Sequence, residues 1–515
     1  MEYLQGESRE QLSLYTSCLD DMIPKEHTVR SIDHFVNGLD IIALGFEPLS
    51  SQGRPPYHPK DLLKLYIYGY MNRMRSSREL EKECHRNIEV IWLLKNLKPD
   101  HNTIARFRKA NPKAIKRVFR ATVSIAKNYN LIGATLIAGD STKLRAQNSK
   151  KNNYNKKKIQ RHLDYIDQKL QEYEKQMQQA DQNHKQQLEE QIDKRKQQRN
   201  KYQQIQKQLE ADTSSENPQI STSDPDSRHQ ILRGNITEVC YTAQTTVDAK
   251  HKILIDCKIN NQNDKKAMGN MLQRAKTILK TNAFTALYDK GYHTGSEFKI
   301  AHDLGIQTLV AIPGIGRASQ APDPKYNVEH FIYHSDSDTY TCPQKHSLKT
   351  NGTWYKTRNY RFKQYKTKAC KSCPVRSLCT TAKHNGKIIQ RSEFTPYIEK
   401  NNRAVNQNQE TYKKRQALVE HPFGTIKRQW GFDHIITKKG IAAATADFAL
   451  IALAYNLKRL FNLGYTPKNS LLRIIHHLYK AFLREMSLLQ MVNLHIQTKD
   501  HYSKFIPNLC TFKEN

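Results

Sequence analysis

The stretch 135–142, Thr-Leu-Ile-Ala-Gly-Asp-Ser-Thr, is a short apolar run that ends in glycine and delivers Asp140 on or just past a buried strand. A second stretch, 284–292, Phe-Thr-Ala-Leu-Tyr-Asp-Lys-Gly-Tyr, repeats the pattern and delivers Asp289. A third, 418–424, Leu-Val-Glu-His-Pro-Phe-Gly, sets Glu420 in a largely helical segment, 411–430. These acids stand in a chain of 515 residues with 83 Lys and Arg against 49 Asp and Glu, a formal net charge of +34. Such an excess of cations suits a polyanionic partner, and a polyanion repels carboxylates unless a metal ion stands between them. A lone Asp at a strand end is ordinarily a loop cap or half of a salt bridge. Three acids in one fold order point instead to divalent-metal chemistry on phosphodiesters.

The segments between the acids supply that order. Residues 238–247 and 252–259, joined by 248–251, have the β-branched content of an antiparallel hairpin. A helix is predicted over 262–280, a strand over 284–288, a helix over 294–304 and a strand over 307–312 that Pro313-Gly314 stops. The predicted fold class is α/β, with a mixed-sheet core that resembles ribonuclease H. In such a fold the first strand is central and the fourth lies beside it, so Asp140 and Asp289 converge. Pro422, two residues past Glu420, predicts a helix that kinks or restarts there.

Upstream, the chain reads as helices. Residues 59–74 carry Leu62, Leu63, Tyr66, Ile67 and Tyr70 at helical spacing with Lys60, Lys64, Arg73 and Arg75 beside them. Ser76-x-x-Glu79 matches a capping box, and a helix from Asp100 places Arg106, Arg108 and Lys109 near Ile104 and Phe107. Successive short helices with one cationic face resemble helix-turn-helix DNA-binding units; an ordinary bundle with a solvated basic face fits the same pattern. Between the first two acids, Ile159, Leu163, Ile166, Leu170, Tyr173, Met177 and Ala180 follow a coiled-coil seam, which Leu188, Ile192, Tyr202, Ile205 and Leu209 resume. Two helices folded back as a hairpin and one irregular long helix both fit. So do a dimerising or DNA-clamping arm and a solvated insertion without chemistry.

Before Glu420 lies a cysteine cluster: Cys342, Cys370-Lys-Ser-Cys373 and Cys379. These four fit one tetrahedral structural Zn²⁺, needed because a small polar insertion lacks a core of its own; an iron–sulfur cluster or four free thiols are the alternatives. Nearby Tyr355, Tyr360, Phe362 and Tyr365, among many Lys and Arg, would form a basic, aromatic module against DNA. Cys18, Cys84, Cys240, Cys257 and Cys510 are scattered and read as packing residues.

Taken together, His58-Pro-Lys-Asp61, Asp100-His-Asn-Thr-Ile-Ala-Arg-Phe-Arg108, Gly139-Asp-Ser-Thr-Lys143, Asp289-Lys-Gly-Tyr292, Arg415-Gln-Ala-Leu-Val-Glu-His-Pro-Phe-Gly-Thr-Ile-Lys427 and Ala454-Tyr-Asn-Leu-Lys458 resemble the bacterial insertion-sequence transposases of the DDE class. The likeness runs from about residue 20 to 465. It implies Asp140, Asp289 and Glu420 as catalytic ligands of two Mg²⁺ or Mn²⁺ ions, with Asp140 bridging. It also implies that Tyr412, Arg415 and Lys427 contact the DNA end. A related signature, Tyr-x2-Arg-x3-Glu-x6-Lys, fits Tyr412, Arg415, Glu420 and Lys427 except for one extra residue between Arg415 and Glu420. The implied partners are terminal inverted repeats and target DNA, bound by a homodimer or higher oligomer. The alternatives are a transposase-derived DNA-binding protein without cleavage and a metal nuclease without strand transfer.

Six regions follow: an N-terminal helical DNA-binding domain, 1–130; the core, 131–149 and 213–316; a coiled-coil insertion, 150–212; a cysteine-rich insertion, 317–400; the C-terminal core helices, 401–465; and a helical tail, 466–515. No run approaches the roughly 18 consecutive apolar residues of a membrane helix, and the first residues carry neither a basic region nor an apolar signal core. A cytoplasmic, nucleoid-associated protein without a membrane partner is expected.

Overall fold

The computed structural model describes residues 18–46, 55–179, 181–211, 218–233, 236–314, 316, 319–382, 384, 386–437 and 440–464. The tail expected as helix, and Cys510 with it, lies outside the described residues.

The N-terminal region consists of α1 (Thr28–Asn37), α2 (Pro59–Met71), α3 (Ser77–Arg86), α4 (Ile88–Leu93), α5 (His101–Ala110) and α6 (Pro112–Asn128). Pro59 and Pro112 each occupy a first turn, where the missing N–H has no intrahelical partner to lose. Asp100 caps α5 by accepting from the N–H groups of Asn102 and Thr103. Ser76 makes no such bond, so the expected capping box is not formed. Helix α2 is buried from Leu62 to Tyr70, not on one face alone, and Lys64 within it is paired with Asp33 at 2.6 Å.

The core opens with β1 (Leu136–Arg145). A two-residue ladder of β2 (Asn153–Tyr154) and β3 (Ile220–Ser221) closes the base of the insertion. The insertion is a hairpin of α7 (Lys156–Met177) and α8 (Gln182–Ala211), in which Ile159 and Leu163 bury themselves against Ile205 and Leu209. Then come β4 (Arg228–Arg233), β5 (Ile236–Asp248), β6 (Leu254–Asn260), α9 (Met268–Leu279), β7 (Thr285–Tyr288), α10 (Gly295–Asp303) and β8 (Gln307–Val310). The sheet order is β4-β5-β1-β7-β8, with β6 also paired to β5. Strand β1 is central, antiparallel to β5 and parallel to β7. Unlike the expected strand, which ended near Asp140, β1 continues five residues past it, because β5 goes on pairing with it as far as Arg145. Strand β4 was not expected at all: Arg-His-Gln-Ile-Leu-Arg lacks a clean alternation, and pairing with β5 holds it.

The cysteine-bearing insertion is built from two small sheets, β9 (Ile332–His334), β10 (Thr339–Thr341) and β11 (Ser347–Lys349), then β12 (Tyr355–Lys356), β13 (Arg361–Tyr365) and β14 (Ile389–Ser392), with α11 (Arg376–Cys379) between β13 and β14. Contrary to expectation, it has a core of its own in Phe331, Tyr340, Leu348, Tyr365 and Ile389. Asp338 braces that core, accepting from Tyr333, Tyr365 and Lys363, and these donors hold its carboxyl down at about 2.

Helices α12 (Thr395–Gln407), α13 (Gln409–Phe423) and α14 (Ile441–Asn462) complete the described fold. Helix α13 neither breaks nor restarts at Pro422. It runs through the proline and gives way at Gly424 to a π-helical segment, Gly424–Gln429. Helix α14 is the only one among the described residues long and apolar enough to span a membrane, yet it is largely buried between α6, α2 and β6. Its Asn456 amide pairs with both backbone groups of Leu254 on β6.

Candidate active site

Strand β7 pairs in parallel with β1 through Leu136–Thr285, Ile137–Ala286 and Ala138–Leu287. The same offset carried two residues further sets Asp140 level with Asp289. Two side chains level on adjacent strands lie about 5 Å apart and on the same face of the sheet. Gly139 makes the arrangement possible: a Cβ there would fall 2.1 Å from the ring of Tyr288, which lies across β1 beside Asp140. Asp289 ends the strand as the cap of a tight turn, Lys290–Tyr292, accepting from the N–H of Gly291 at 2.9 Å.

The two aspartates strain against each other. The Asp140 carboxyl is pushed up to about 6, first by burial and further by Asp289 and Asp264, while the N–H of Ser141 and the guanidinium of Arg415 pull the other way. Arg415 Nη1 stands 3.3 Å from Asp140 Oδ2 and is the cation on that carboxylate. Tyr412, on the same face of α13, donates to the carbonyl of Tyr288 at 3.1 Å, one residue before Asp289. Lys427 Nζ lies against the same strand, donating to Thr142 Oγ1 at 3.0 Å and to the Lys143 carbonyl at 3.2 Å, and burial lowers its pKa. Tyr412 and Arg415 thus gather at the aspartates, while Lys427 meets β1 two to three residues beyond Asp140.

Glu420 does not join them. It is exposed, and its Oε1 accepts from Gln416, one turn earlier on α13. The helix turns about 100° per residue. Leu418 and Val419 are buried against Ala138, Leu287 and Leu309, so the next position is carried off that face. Among the described residues, no three His, Cys, Asp or Glu side chains close into a metal-binding group. The aspartate pair nevertheless fits a hard divalent cation: it offers only carboxylate oxygen, and its mutual repulsion is what such an ion relieves.

Of the cations expected to face DNA, Arg106 and Lys109 are exposed on α5, but Arg108 is not. Arg108 is buried, donates to Tyr70 Oη at 2.9 Å and lies 3.9 Å from Asp447 of α14. Arg75 also turns inward to Asp447, at 3.4 Å. A fully buried carboxylate requires compensating charge, and these two arginines supply it.

In the cysteine-bearing insertion, Cys342, Cys370, Cys373 and Cys379 line one cavity of about 30 Å³. None of the four is in a disulfide, and burial first, then the other three, raises the pKa of Cys379. A Cβ on Gly386 would fall 2.2 Å from the Cβ of Cys370, so only glycine lets the backbone pass there. Of the scattered cysteines, Cys84, Cys240 and Cys257 are buried as expected, whereas Cys18 is exposed. Sequence patterns gave no reason to single out Asp264, because Asn263-Asp264 reads as ordinary helix-start chemistry.

Residues 17–110 match the family described as a transposase domain (DUF772), and residues 341–461 match the one described as a transposase DDE domain. No curated protein matches the chain. A solved structure of the piggyBac transposase synaptic complex with hairpin DNA is similar over 96% of this chain and 86% of that one, at 9% identity and a TM-score of 0.29, too slight a likeness to bear on fold or function. A transposase domain thus matches the N-terminal helices, and a transposase DDE domain matches the segment that carries Glu420.

Proposed function

We propose that the chain is a DDE transposase that binds the terminal inverted repeats of its own insertion sequence, cuts the DNA there and joins the freed 3′-hydroxyl ends to a target. The observation that carries the proposal is that parallel pairing of β1 with β7 brings Asp140 and the turn capped by Asp289 close enough for the two carboxylates to act on each other, in a chain of net charge +34. The strand order, with the first core strand central and the fourth beside it, supports a ribonuclease H-like core.

Asp140 and Asp289 would hold Mg²⁺ or Mn²⁺, and Glu420, further along α13, would be the third ligand. Bound divalent ions lower the pKa of an attacking water or 3′-hydroxyl and stabilise the departing oxygen. The chain's own side chains do the rest. Arg415 keeps Asp140 ionised and is close enough to exchange that carboxylate for a DNA phosphate. Tyr412 pins the Tyr288 carbonyl and so fixes where the Asp289 turn begins. Lys427, half-buried beside β1, meets the phosphate near the cut, and Arg106 and Lys109 add contacts from α5. The four thiols around one small cavity support a structural Zn²⁺ in the insertion, and the protein acts in the nucleoid as a homodimer or higher oligomer on DNA.

The test is to incubate the purified protein with Mg²⁺ or Mn²⁺, duplexes carrying the DNA that flanks its coding region, and a supercoiled target. Joined 3′ ends are expected. Cleavage without joining would make it a nuclease, and binding without cleavage a DNA-binding derivative. Wild-type cleavage by Asp289→Ala would remove Asp289 from the site.

A further inference from the structure

We propose that Asp264 is a positioning residue for the Asp140–Asp289 pair, acting through Gln244 and Tyr292 to fix the turn that presents Asp289. The inference rests on the assignment of that pair as the metal site. Asp264 opens a short turn, Asp264–Lys266, that packs directly against the turn Lys290–Tyr292. Its Oδ1 accepts from Gln244 Nε2 at 2.7 Å, and Gln244 Oε1 accepts from Tyr292 Oη at 2.6 Å.

The direction of this chain is forced. An ionised carboxylate can only accept, so Gln244 must turn its NH₂ toward Asp264 and its oxygen toward Tyr292, whose hydroxyl must then donate. Gln244 is 1% exposed and Tyr292 fully buried. Without Asp264, a buried amide N–H loses its acceptor, or the amide flips and releases Tyr292. Gln244 also pairs in register with Ser141, the residue after Asp140 whose N–H is bonded to the Asp140 carboxylate. The Asp289 turn is thus clamped at both ends. The Tyr288 ring lies against Gly139 and 4.8 Å from the ring of Tyr292, whose hydroxyl is tied to Gln244. Lys143, held by Thr242 at 2.8 Å, stands 4.0 Å from Asp264 and balances its charge. The Asp264 carboxylate also reaches Asp140 electrostatically, as that of Asp289 does.

The test measures Mn²⁺ binding to the full-length, DNA-free protein by electron paramagnetic resonance, alongside the thermal midpoint, for Asp264→Ala, Asp264→Asn, Tyr292→Phe and Asp140→Asn. Asp264→Ala and Tyr292→Phe should each weaken Mn²⁺ binding by about 10-fold or more, the usual loss when a partner that orients a metal ligand is removed. Asp264→Asn can still accept from Gln244 and should fall between wild type and Asp264→Ala; it also keeps the test open if the alanine variant misfolds. Wild-type Mn²⁺ affinity in Asp264→Ala or in Tyr292→Phe overturns the inference, even if the midpoint falls, because a purely structural role moves only the midpoint. Asp140→Asn separates the two claims. If it abolishes Mn²⁺ binding while the Asp264 and Tyr292 variants bind normally, only this inference fails, and if Asp140→Asn binds normally, the metal-site assignment fails with it.

Discussion

Asp140 and Asp289 are held by a sheet, and Glu420 by a helix. On the sheet side, backbone pairing between β1 and β7 ends two residues before each aspartate and so carries the two toward each other, Gly139 clears the way for Tyr288, and Tyr412 seals the end of the strand from outside. On the helix side, burial of Leu418 and Val419 decides which face of α13 meets the sheet, and Glu420 lies one step beyond that face. A strand delivers a side chain by register, which its hydrogen bonds enforce residue by residue. A helix delivers one by rotation, so the next position lands about 100° away. The π-helical segment that begins four residues past Glu420 gives this part of the helix a means of re-aiming that the strands lack.

This contrast can be broken from either side. The largest effect is expected for Asp140→Ala or Asp289→Ala, each of which should cut strand cleavage by at least roughly a thousandfold while gel shifts show intact DNA binding. Glu420→Gln should lose less, about a hundredfold, because the side chain is exposed and does not stand with the aspartate pair; wild-type cleavage would exclude it as a ligand. Gly139→Ala should cost about 3 kcal/mol in urea denaturation, since its Cβ has no space beside Tyr288.

Asp140→Asn should do the reverse and stabilise the metal-free protein. The folded protein holds the Asp140 proton up to about pH 6, above the ordinary 3.8, so the wild type loses stability as pH rises from about 4 through 6. The asparagine variant escapes that loss, by on the order of 2 kcal/mol at pH 8 and by nothing below pH 4, as paired urea titrations would read. Smallest of all, Glu420→Gln should leave folding stability within about 0.5 kcal/mol of wild type, because the side chain is exposed.

Much of the sheet was legible because buried strands leave continuous apolar runs that Gly and Pro punctuate; β5, β6, β7 and β8 fall where 238–247, 252–259, 284–288 and 307–312 predict them. The hairpin of α7 and α8 was one of two arrangements the seam allowed, and packing of Ile159 and Leu163 on Ile205 and Leu209 selects it. Arg108 was misjudged for a physical reason. Its neighbours say only that it lies on an amphipathic helix, whereas Asp447 of α14, far along the chain, buries a carboxylate that draws both Arg108 and Arg75 inward. The insertion reads as too polar for a core, yet Phe331, Leu348 and Ile389 with three tyrosines and one aspartate are enough, because Tyr333 and Tyr365 pack their rings inward while Asp338 takes their hydroxyls.

The sequence by itself determined which segments are strands and helices and which acids stand at their edges, since periodicity and turn residues are local. It also set the charge that marks DNA as the partner class. Only the tertiary structure decided that Asp264 shares the field of the aspartate pair, that Arg108 is buried beside Asp447 and that Glu420 is exposed. Each of these depends on register between distant strands, on the rotation of a packed helix or on the need of a buried charge for a counter-charge, and none of the three is encoded in neighbouring residues.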